Sequence, residues 1–377
     1  MWKKMNVGFL SWILDIQRTG INNYLYNLVT AMIEADKSKN ISLIHFQKSD
    51  DIIYQKVNDV VINSLPYNIS NPINLSRSIK EAEIDVLHLP SHMFPQISPF
   101  FINKNVKKIL TVHDLIPLLF GQKLPLFYKF WALTLKLIKN RPNYIITDSV
   151  NTRNDLINYL KIPETKIKII PLAPNKHFKF IKNKSTIRDE LESKYNILSP
   201  FILYAGSVEL RKNIPLMVKS FYKLLKRGVK TKLILIGSPG YGYEEIVKTV
   251  ESLGLSKDVI FLGYVPDHDL KKFYNVADLF VFPSLYEGFG LPPLEAMACG
   301  SPVITSNTSS LPEVVGDAGF TLDPYDSDAF ADKMFQILTD ENLKIEMQNK
   351  SLKRAESFTW ERTGRETWKV YEQVCSE

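Results

Sequence analysis

Two glutamates, Glu287 and Glu295, stand in a Glu-x7-Glu spacing inside the stretch Tyr-Glu-Gly-Phe-Gly-Leu-Pro-Pro-Leu-Glu-Ala-Met-Ala-Cys-Gly-Ser-Pro-Val-Ile-Thr-Ser, from Tyr286 to Ser306. A β-like run, Leu279 to Pro283, precedes it, and a second follows Gly300, so the stretch reads as strand, loop, helix, strand. Gly288 and Gly290 give the loop backbone freedom, and Pro292 or Pro293 suits a first helical turn, where no N–H is needed. Carboxylate acceptors and free helix-start N–H donors then lie together beyond the carboxyl end of a strand, where open α/β sheets bind ligands. That combination suits a polyhydroxylated ligand carrying an anion. The plainer alternative is a tight strand-to-helix connection with one solvated and one helical glutamate.

A second group of candidates follows another β-like run: Ala205-Gly206-Ser207-Val208-Glu209-Leu210-Arg211-Lys212-Asn213, directly ahead of a helix from Ile214. A strand-end glycine with two cations at a helix start can hold a diphosphate; the alternative is two solvated cations beside a capping Asn213. Thr111-Val112-His113-Asp114-Leu115 puts a His-Asp pair at the end of a buried strand, where the histidine either contacts a reacting group or is structural and bonded to backbone. His88 and His92 take the structural reading. In the first loop, Arg18-Thr19-Gly20-Ile21-Asn22-Asn23-Tyr24, Gly20 either admits a phosphate or acceptor to the backbone or starts the helix. Asp326-Ser327-Asp328 has a metal-binding triplet's form, but its place after Pro324 makes it a helix cap. Gly237 to Gly242 does not match Gly-x-Gly-x-x-Gly and reads as a flexible strand-end loop near a ligand.

The elements that carry these residues alternate. In the first half, β-like runs (Met5–Leu10, Ile41–Phe46, Asp85–Leu89, Lys108–Val112, Tyr144–Thr147, Ile167–Pro171) are mostly apolar on both faces, as in a covered parallel sheet. A helix with Ile21, Leu25, Leu28, Val29, Met32 and Ile33 on one stripe follows the first loop. Ala173 to Ser185 is polar, lysine-rich and without period, and reads as a linker. A second set follows, with strands at Phe201–Ala205, Lys232–Ile236, Val259–Leu262 and Leu279–Phe282 and a helix whose stripe is Ile214, Met217, Val218, Phe221, Leu224 and Leu225. Later helices run over Asp326–Leu338, Asn342–Ser357 and Trp360–Val374, the last capped by Thr359. The expectation is two doubly wound α/β domains with a cleft between them.

At 377 residues the chain exceeds one ordinary core. Its net charge of +7 fits an anionic ligand or membrane surface; with no recognition motif and no arginine stripe, nucleic acid is not expected. Two cysteines, Cys299 and Cys375, supply neither a disulfide framework nor a metal spacing, which suits a reducing compartment. The run Val7–Ile16 behind Lys3 and Lys4 contains Asp15 and lacks a cleavage site, so it is not read as a signal peptide. No run approaches the ~20 apolar residues of a membrane span, and in the cytosol the triplet Asn68 to Ser70 carries no glycan. Leu124 to Arg141 mixes Phe127, Phe130, Trp131, Leu135 and Ile138 with Lys129, Lys136, Lys139 and Arg141, which is either a helix resting on an anionic membrane or a core helix with a solvated face.

Together these features resemble the retaining nucleotide-sugar glycosyltransferases of family 4, with the GT-B fold of two Rossmann-like doubly wound domains. Glu287-Gly-Phe-Gly-Leu-Pro-Pro-Leu-Glu295 matches that family's Glu-x7-Glu motif, and Arg211-Lys212-Asn213, His113-Asp114 and the Gly20 loop stand in the family's order from about residue 5 to 375. The resemblance implies an N-terminal acceptor-side domain over 1–175, a nucleotide-sugar domain over 176–358, and a last helix, 359–377, that returns to the first. It implies that Glu287 bonds hydroxyls of the donor sugar, assisted by backbone around Gly288, Phe289, Gly290 and Leu291, that Glu295 accepts from the ribose, and that Val265 meets the base. Arg211 and Lys212 would neutralise the diphosphate in place of a metal ion, and His113 would help stabilise the sugar's developing positive charge. Gly20, Asp114 and Gly206 join the binding residues. Ser207 replaces a basic residue many members carry after the phosphate-loop glycine, which shifts that load to Arg211 and Lys212; Thr19 replaces the first of their paired glycines, which bears on the acceptor side.

The implied enzyme moves a hexose from a nucleotide-diphosphate sugar to a glycan or lipid-linked glycan, with no cofactor and no metal, in the cytoplasm and peripheral to the inner face of the membrane. Val-His-Asp-Leu-Ile-Pro resembles surface-polysaccharide mannosyltransferases and so favours GDP-mannose as donor. The alternatives are a two-domain nucleotide-sugar epimerase and a non-catalytic sugar-nucleotide-binding subunit of a glycan-assembly complex; retention of Glu287, Lys212 and His113 argues against the latter.

Overall fold

The computed structural model describes residues 5–15, 20–36, 40–47, 49–62, 71–91, 98–120, 126–197 and 200–377, without the side chains of residues 13, 15, 71, 126–128 and 130. Lys3, Lys4, Ile16, Arg18, Thr19, Asn68 to Ser70, His92 and the start of the Leu124–Arg141 segment therefore lie outside the described residues, as do the side chains of Phe127 and Phe130. The chain forms two compact units: Met1–Leu172 with Thr359–Glu377, and Ala173–Phe358. The change of unit falls between Leu172 and Ala173 rather than after residue 175.

In the first unit, β1 (Asn6–Leu10), β2 (Asn40–His45), β3 (Asn58–Val61), β4 (Val86–Leu89), β5 (Lys107–Val112), β6 (Tyr144–Thr147) and β7 (Ile167–Ile169) form one sheet, ordered β3-β2-β1-β4-β5-β6-β7. Every pairing is parallel. Parallel strands need crossovers of a dozen or more residues, and amphipathic helices supply them: in Gly20–Ala35, Tyr24, Leu25, Leu28, Val29 and Met32 are buried while Glu34 is exposed. The last helix, Trp360–Ser376, belongs to this unit. Thr359 caps it by accepting from Arg362 N–H, and Thr363 Oγ1 donates to Pro171 O at 2.7 Å.

In the second unit, β8 (Phe201–Ala205), β9 (Lys232–Ile236), β10 (Val259–Gly263), β11 (Leu279–Phe282), β12 (Val303–Ser306) and β13 (Phe320–Leu322) form a parallel sheet ordered β10-β9-β8-β11-β12-β13. Its strands are almost wholly apolar because helices cover both faces; the stripe Ile214, Met217, Val218, Phe221 and Leu224 is fully buried. In each sheet the winding reverses once, between β1 and β4 and between β8 and β11. The doubly wound expectation is met in both units.

Three expectations change. Residues 173–184 are irregular, as in a linker, yet packed: Phe178 is buried and Ile181 N–H donates to Asn275 Oδ1 at 2.7 Å, so the segment is part of the second unit. In the helix Leu126–Ile138, Leu135 and Ile138 are fully buried and belong to the core, whereas Leu133 and Leu137 are 52% and 58% exposed beside exposed Lys129 and Lys136. The 3.6-residue period sets Leu133 and Leu137, which the sequence reading did not single out, on the outer face. The Gly237–Gly242 loop is fixed rather than flexible, as its contacts below show.

Candidate functional site

In the second unit the candidate residues come from loops at the carboxyl ends of β8 and β11, the two strands that flank the winding reversal. An open α/β sheet leaves its ligand crevice at that point, because neighbouring crossovers depart to opposite faces there. Leaving β11, the chain turns through Ser284 to Glu287 and then enters the helix Leu291–Ala298. Gly290 stands at its N-cap with φ +121°, and a Cβ there would lie 3.0 Å from Leu311 Cδ2.

Glu287 joins the two loops. Its Oε1 accepts from Lys212 Nζ at 2.6 Å, from Ser284 Oγ at 2.5 Å and from Arg211 Nη1 at 3.4 Å. Ser309 Oγ accepts from its backbone N–H at 2.9 Å, and Ser310 Oγ donates to the carbonyls of Glu287 and Phe289. Arg211 also donates to Tyr286 O at 2.6 Å and to Glu209 Oε1 at 2.5 Å. Side chains of Glu287 and Lys212 are only 12% and 10% exposed. Burial alone raises a carboxyl pKa, but the charges of Lys212 and Arg211 and the bonds from Lys212 and Ser284 outweigh it, so Glu287 sits below the usual carboxylate range. It is an anion whose counter-cations are Lys212 and Arg211.

Glu295 differs. On the Leu291–Ala298 helix it accepts from Tyr274 Oη at 3.2 Å. Burial, with the Asp267 charge adding to it, pushes its pKa up to about 8 against the Tyr274 bond. The two carboxyls of the motif therefore differ in charge at neutral pH, one an anion and one mostly protonated.

The other predicted residues divide by environment. Gly206 has φ +145° and lies close to Tyr204 Oη, which donates to Ser207 O at 2.7 Å. Val265 is buried next to Tyr264, which is 73% exposed. Phe289 is buried with its ring edge-on to Phe358, so its side chain is part of the core, and Leu291 opens the helix. Gly288 lies in the bend between Glu287 and Phe289.

In the first unit, His113 follows β5. Its Nδ1 lies 2.7 Å from Asp148 Oδ2 and its Nε2 3.1 Å from Pro90 O. Nε2–H donates to the Pro90 carbonyl, and Nδ1 shares a proton with the Asp148 carboxyl. Burial alone lowers its pKa, but the Asp148 charge and hydrogen bond outweigh that and raise it. Burial raises the pKa of Asp148 in turn, against the charge and hydrogen bond of His113. Asp114 Oδ1 accepts from Ile116 N–H at 2.8 Å at the start of the next helix. Gly20 is the exposed first residue of its helix, with open space where a Cβ would stand and no positive φ. His88 is fully buried, bonded to Tyr371 Oη at 2.5 Å and Thr111 Oγ1 at 2.7 Å. Burial, with some help from His113, lowers its pKa to about 3, so it is a neutral structural group.

Sequence reasoning missed Ser284, Ser309, Ser310, Asp148 and the partnership of Glu209. Serines are too common to stand out; Glu209 was visible only as the acid two places before Arg211. Asp326 is the helix cap, accepting from Asp328 and Ala329 N–H. Among the described residues, no group of three or more His, Cys, Asp or Glu is placed to hold a metal ion.

The sequence profile described as glycosyl transferases group 1 matches residues 187–356, and that described as glycosyltransferase family 4 matches residues 18–173. The O-antigen chain mannosyltransferase B of Escherichia coli is 28% identical over 386 residues, covering 97% of this chain and 99% of its own. The serotype-specific mannosyltransferase WbdA of Escherichia coli is 35% identical over 264 residues, which is 68% of this chain; the match takes in 32% of that protein's length. Among solved structures, Anabaena HepE in complex with UDP-glucose has a TM-score of 0.75 over 99% of this chain and 100% of its own at 15% identity, a likeness of fold.

Proposed function

The chain belongs to the group 1 glycosyltransferases of family 4, and we propose that it moves a hexose, mannose by preference, from a nucleotide-diphosphate sugar to a glycan or lipid-linked glycan with retention of configuration. The observation that carries this reading is the buried Lys212–Glu287 pair, bridged to Arg211, at the carboxyl ends of β8 and β11. In the proposal Lys212 and Arg211 offset the charge that grows on the leaving diphosphate, with no metal required. A preset cation in a water-poor site stabilises developing negative charge without reorganising. Glu287 holds the sugar hydroxyls, exchanging part of its bonding with Lys212 for them. Gly206, Gly288, Gly290 and Leu291 offer backbone, Val265 meets the base, and Glu295 receives the ribose hydroxyls.

The bond from the anomeric carbon to the phosphate oxygen breaks, that to the acceptor oxygen forms, and the acceptor's proton passes to the leaving phosphate oxygen. His113, held by Asp148, helps stabilise the positive charge that develops on the sugar, with Asp114 and Gly20 on the acceptor side. The mannosyl preference is supported by the two Escherichia coli relatives, both named as mannosyltransferases. Leu133 and Leu137, flanked by Lys129 and Lys136, suit contact with an anionic membrane, where a lipid-linked acceptor would be met. Among the described residues no helix is long and apolar enough to cross one.

The test is transfer from radiolabelled GDP-mannose, UDP-glucose and UDP-galactose to an acceptor extract. Lys212→Ala and Glu287→Ala should each lower turnover by about a hundredfold or more, the scale of losing one transition-state charge contact. Turnover unchanged in both variants would refute the assigned site; nucleotide released without any acceptor would favour the epimerase.

A further inference from the structure

Beyond the residues assigned above, the Gly237–Gly242 loop and Glu209 form a device whose product is the placement of Arg211. The loop after β8 and the loop after β9 continue the pairing of their strands past the sheet edge. Val208 N–H donates to Ser238 O at 2.9 Å, Gly240 N–H to Val208 O at 2.9 Å, and Leu210 N–H to Tyr241 O at 3.0 Å. Glycines allow this approach. A Cβ on Gly237 would stand 1.9 Å from Gly206 O, one on Gly242 2.3 Å from Leu210 Cδ1, and one on Gly240 2.9 Å from Glu209 Cβ and 3.2 Å from Glu209 Oε2. Gly237 and Gly242 also have positive φ, +142° and +76°. The side chain of Glu209 is thus seated against the bare backbone of Gly240. Both it and Arg211 are largely buried, with side chains 17% and 18% exposed.

We infer that Glu209 is a positioning residue that fixes the Arg211 guanidinium for the diphosphate, with Gly240 forming its seat; this rests on reading the second unit as a nucleotide-diphosphate site. Arg211 bonds Glu209 through Nη2 while Nη1 bonds Tyr286 O, so the planar fork is held at both tips. Preorganisation of this kind raises affinity by removing rotamer entropy that binding would otherwise have to overcome. The net charge argues the opposite way. A carboxylate beside a diphosphate repels it, so a Glu209 that acted by charge alone would weaken binding, and its removal would strengthen it. The two readings therefore differ in sign.

The experiment titrates GDP, UDP and ADP into the full chain by calorimetry and takes the tightest of the three forward. Glu209→Ala should weaken it about tenfold, Gly240→Ala in the same direction, and Glu209→Gln by less, because the amide oxygen still accepts from Nη2. In the Arg211→Ala background, Glu209→Ala should change affinity by less than about twofold, since the residue acts through Arg211. Tighter binding by Glu209→Ala overturns the inference, and so does a loss that persists undiminished in the Arg211→Ala background. Because the cycle compares Glu209 variants with each other, it stands even where Gly240→Ala folds poorly. Failure of all three nucleotides to bind the unaltered chain is a different result: it refutes the nucleotide site and this inference with it.

Discussion

Replacing Glu295 with glutamine removes a proton equilibrium that the fold has displaced. The carboxyl has an ordinary value of 4.5 and is pushed up to about 8 by burial and the Asp267 charge. Below pH ~4.5 the group is protonated in folded and unfolded chains alike and favours neither. Between that value and about 8 the folded chain keeps a proton that the unfolded chain has lost, so stability falls as pH rises, by about 1.4 kcal/mol per pH unit. Above pH ~8 both states have lost the proton and the loss levels off, at a total on the order of 5 kcal/mol. Glu295→Gln has no such slope and keeps an oxygen to accept from Tyr274 Oη. Urea unfolding of both proteins at pH 5, 6, 7, 8 and 9, followed by hydrogen exchange of second-unit amides, measures the difference. The variant should gain on the unaltered protein with each step up to pH 8 and hold its lead at pH 9; Asp267→Asn should move the plateau to lower pH. A gap equal at every pH refutes the reasoning and means that Glu295 is an anion in the folded chain across this range.

Two other perturbations test the packing and the membrane face. Gly237→Ala puts a Cβ 1.9 Å from a backbone carbonyl at φ +142°, and should cost about 3 kcal/mol or more by denaturation, whereas Gly254→Ala, at φ +69° with nothing within 4 Å, should cost about 1 kcal/mol; equal costs would show that the two loops are not held together as described. Leu133→Ser with Leu137→Ser should reduce co-sedimentation with phosphatidylserine-rich vesicles at low salt by several-fold while leaving the melting temperature within a few degrees; unchanged sedimentation removes that face from membrane contact.

How much of this was legible in the sequence follows from the range of each interaction. Apolar runs such as Phe201–Ala205 and the 3.6-residue stripe from Ile214 report local periodicity, and the fold followed from their alternation. β3 was not legible, because an edge strand reading Asn-Asp-Val-Val is largely exposed and presents polar residues. β13 has three half-buried residues, too few for a period. The chemistry of the Glu-x7-Glu loop was legible as residue types, but not its ion pairs: Lys212 and Glu287 are 75 positions apart, and His113 and Asp148 are 35 apart. The raised pKa of His113 comes from Asp148 against burial, and that of Glu295 from burial and Asp267; no window along the chain contains these surroundings. In the sequence the Gly237–Gly242 loop reads as flexible because its glycines are the residues of flexible loops; in the fold they serve close approach instead.

The most direct test of the central claim is a thermal-shift titration with GDP-mannose, UDP-glucose and UDP-galactose on the unaltered chain and on Lys212→Ala. A nucleotide sugar at a hundred times its dissociation constant should stabilise the unaltered chain by about 2.7 kcal/mol, and the same concentration should stabilise Lys212→Ala by less than half of that. Equal stabilisation of both proteins, or no shift with any donor, would contradict the assignment of Lys212 and Glu287 to a nucleotide-sugar site.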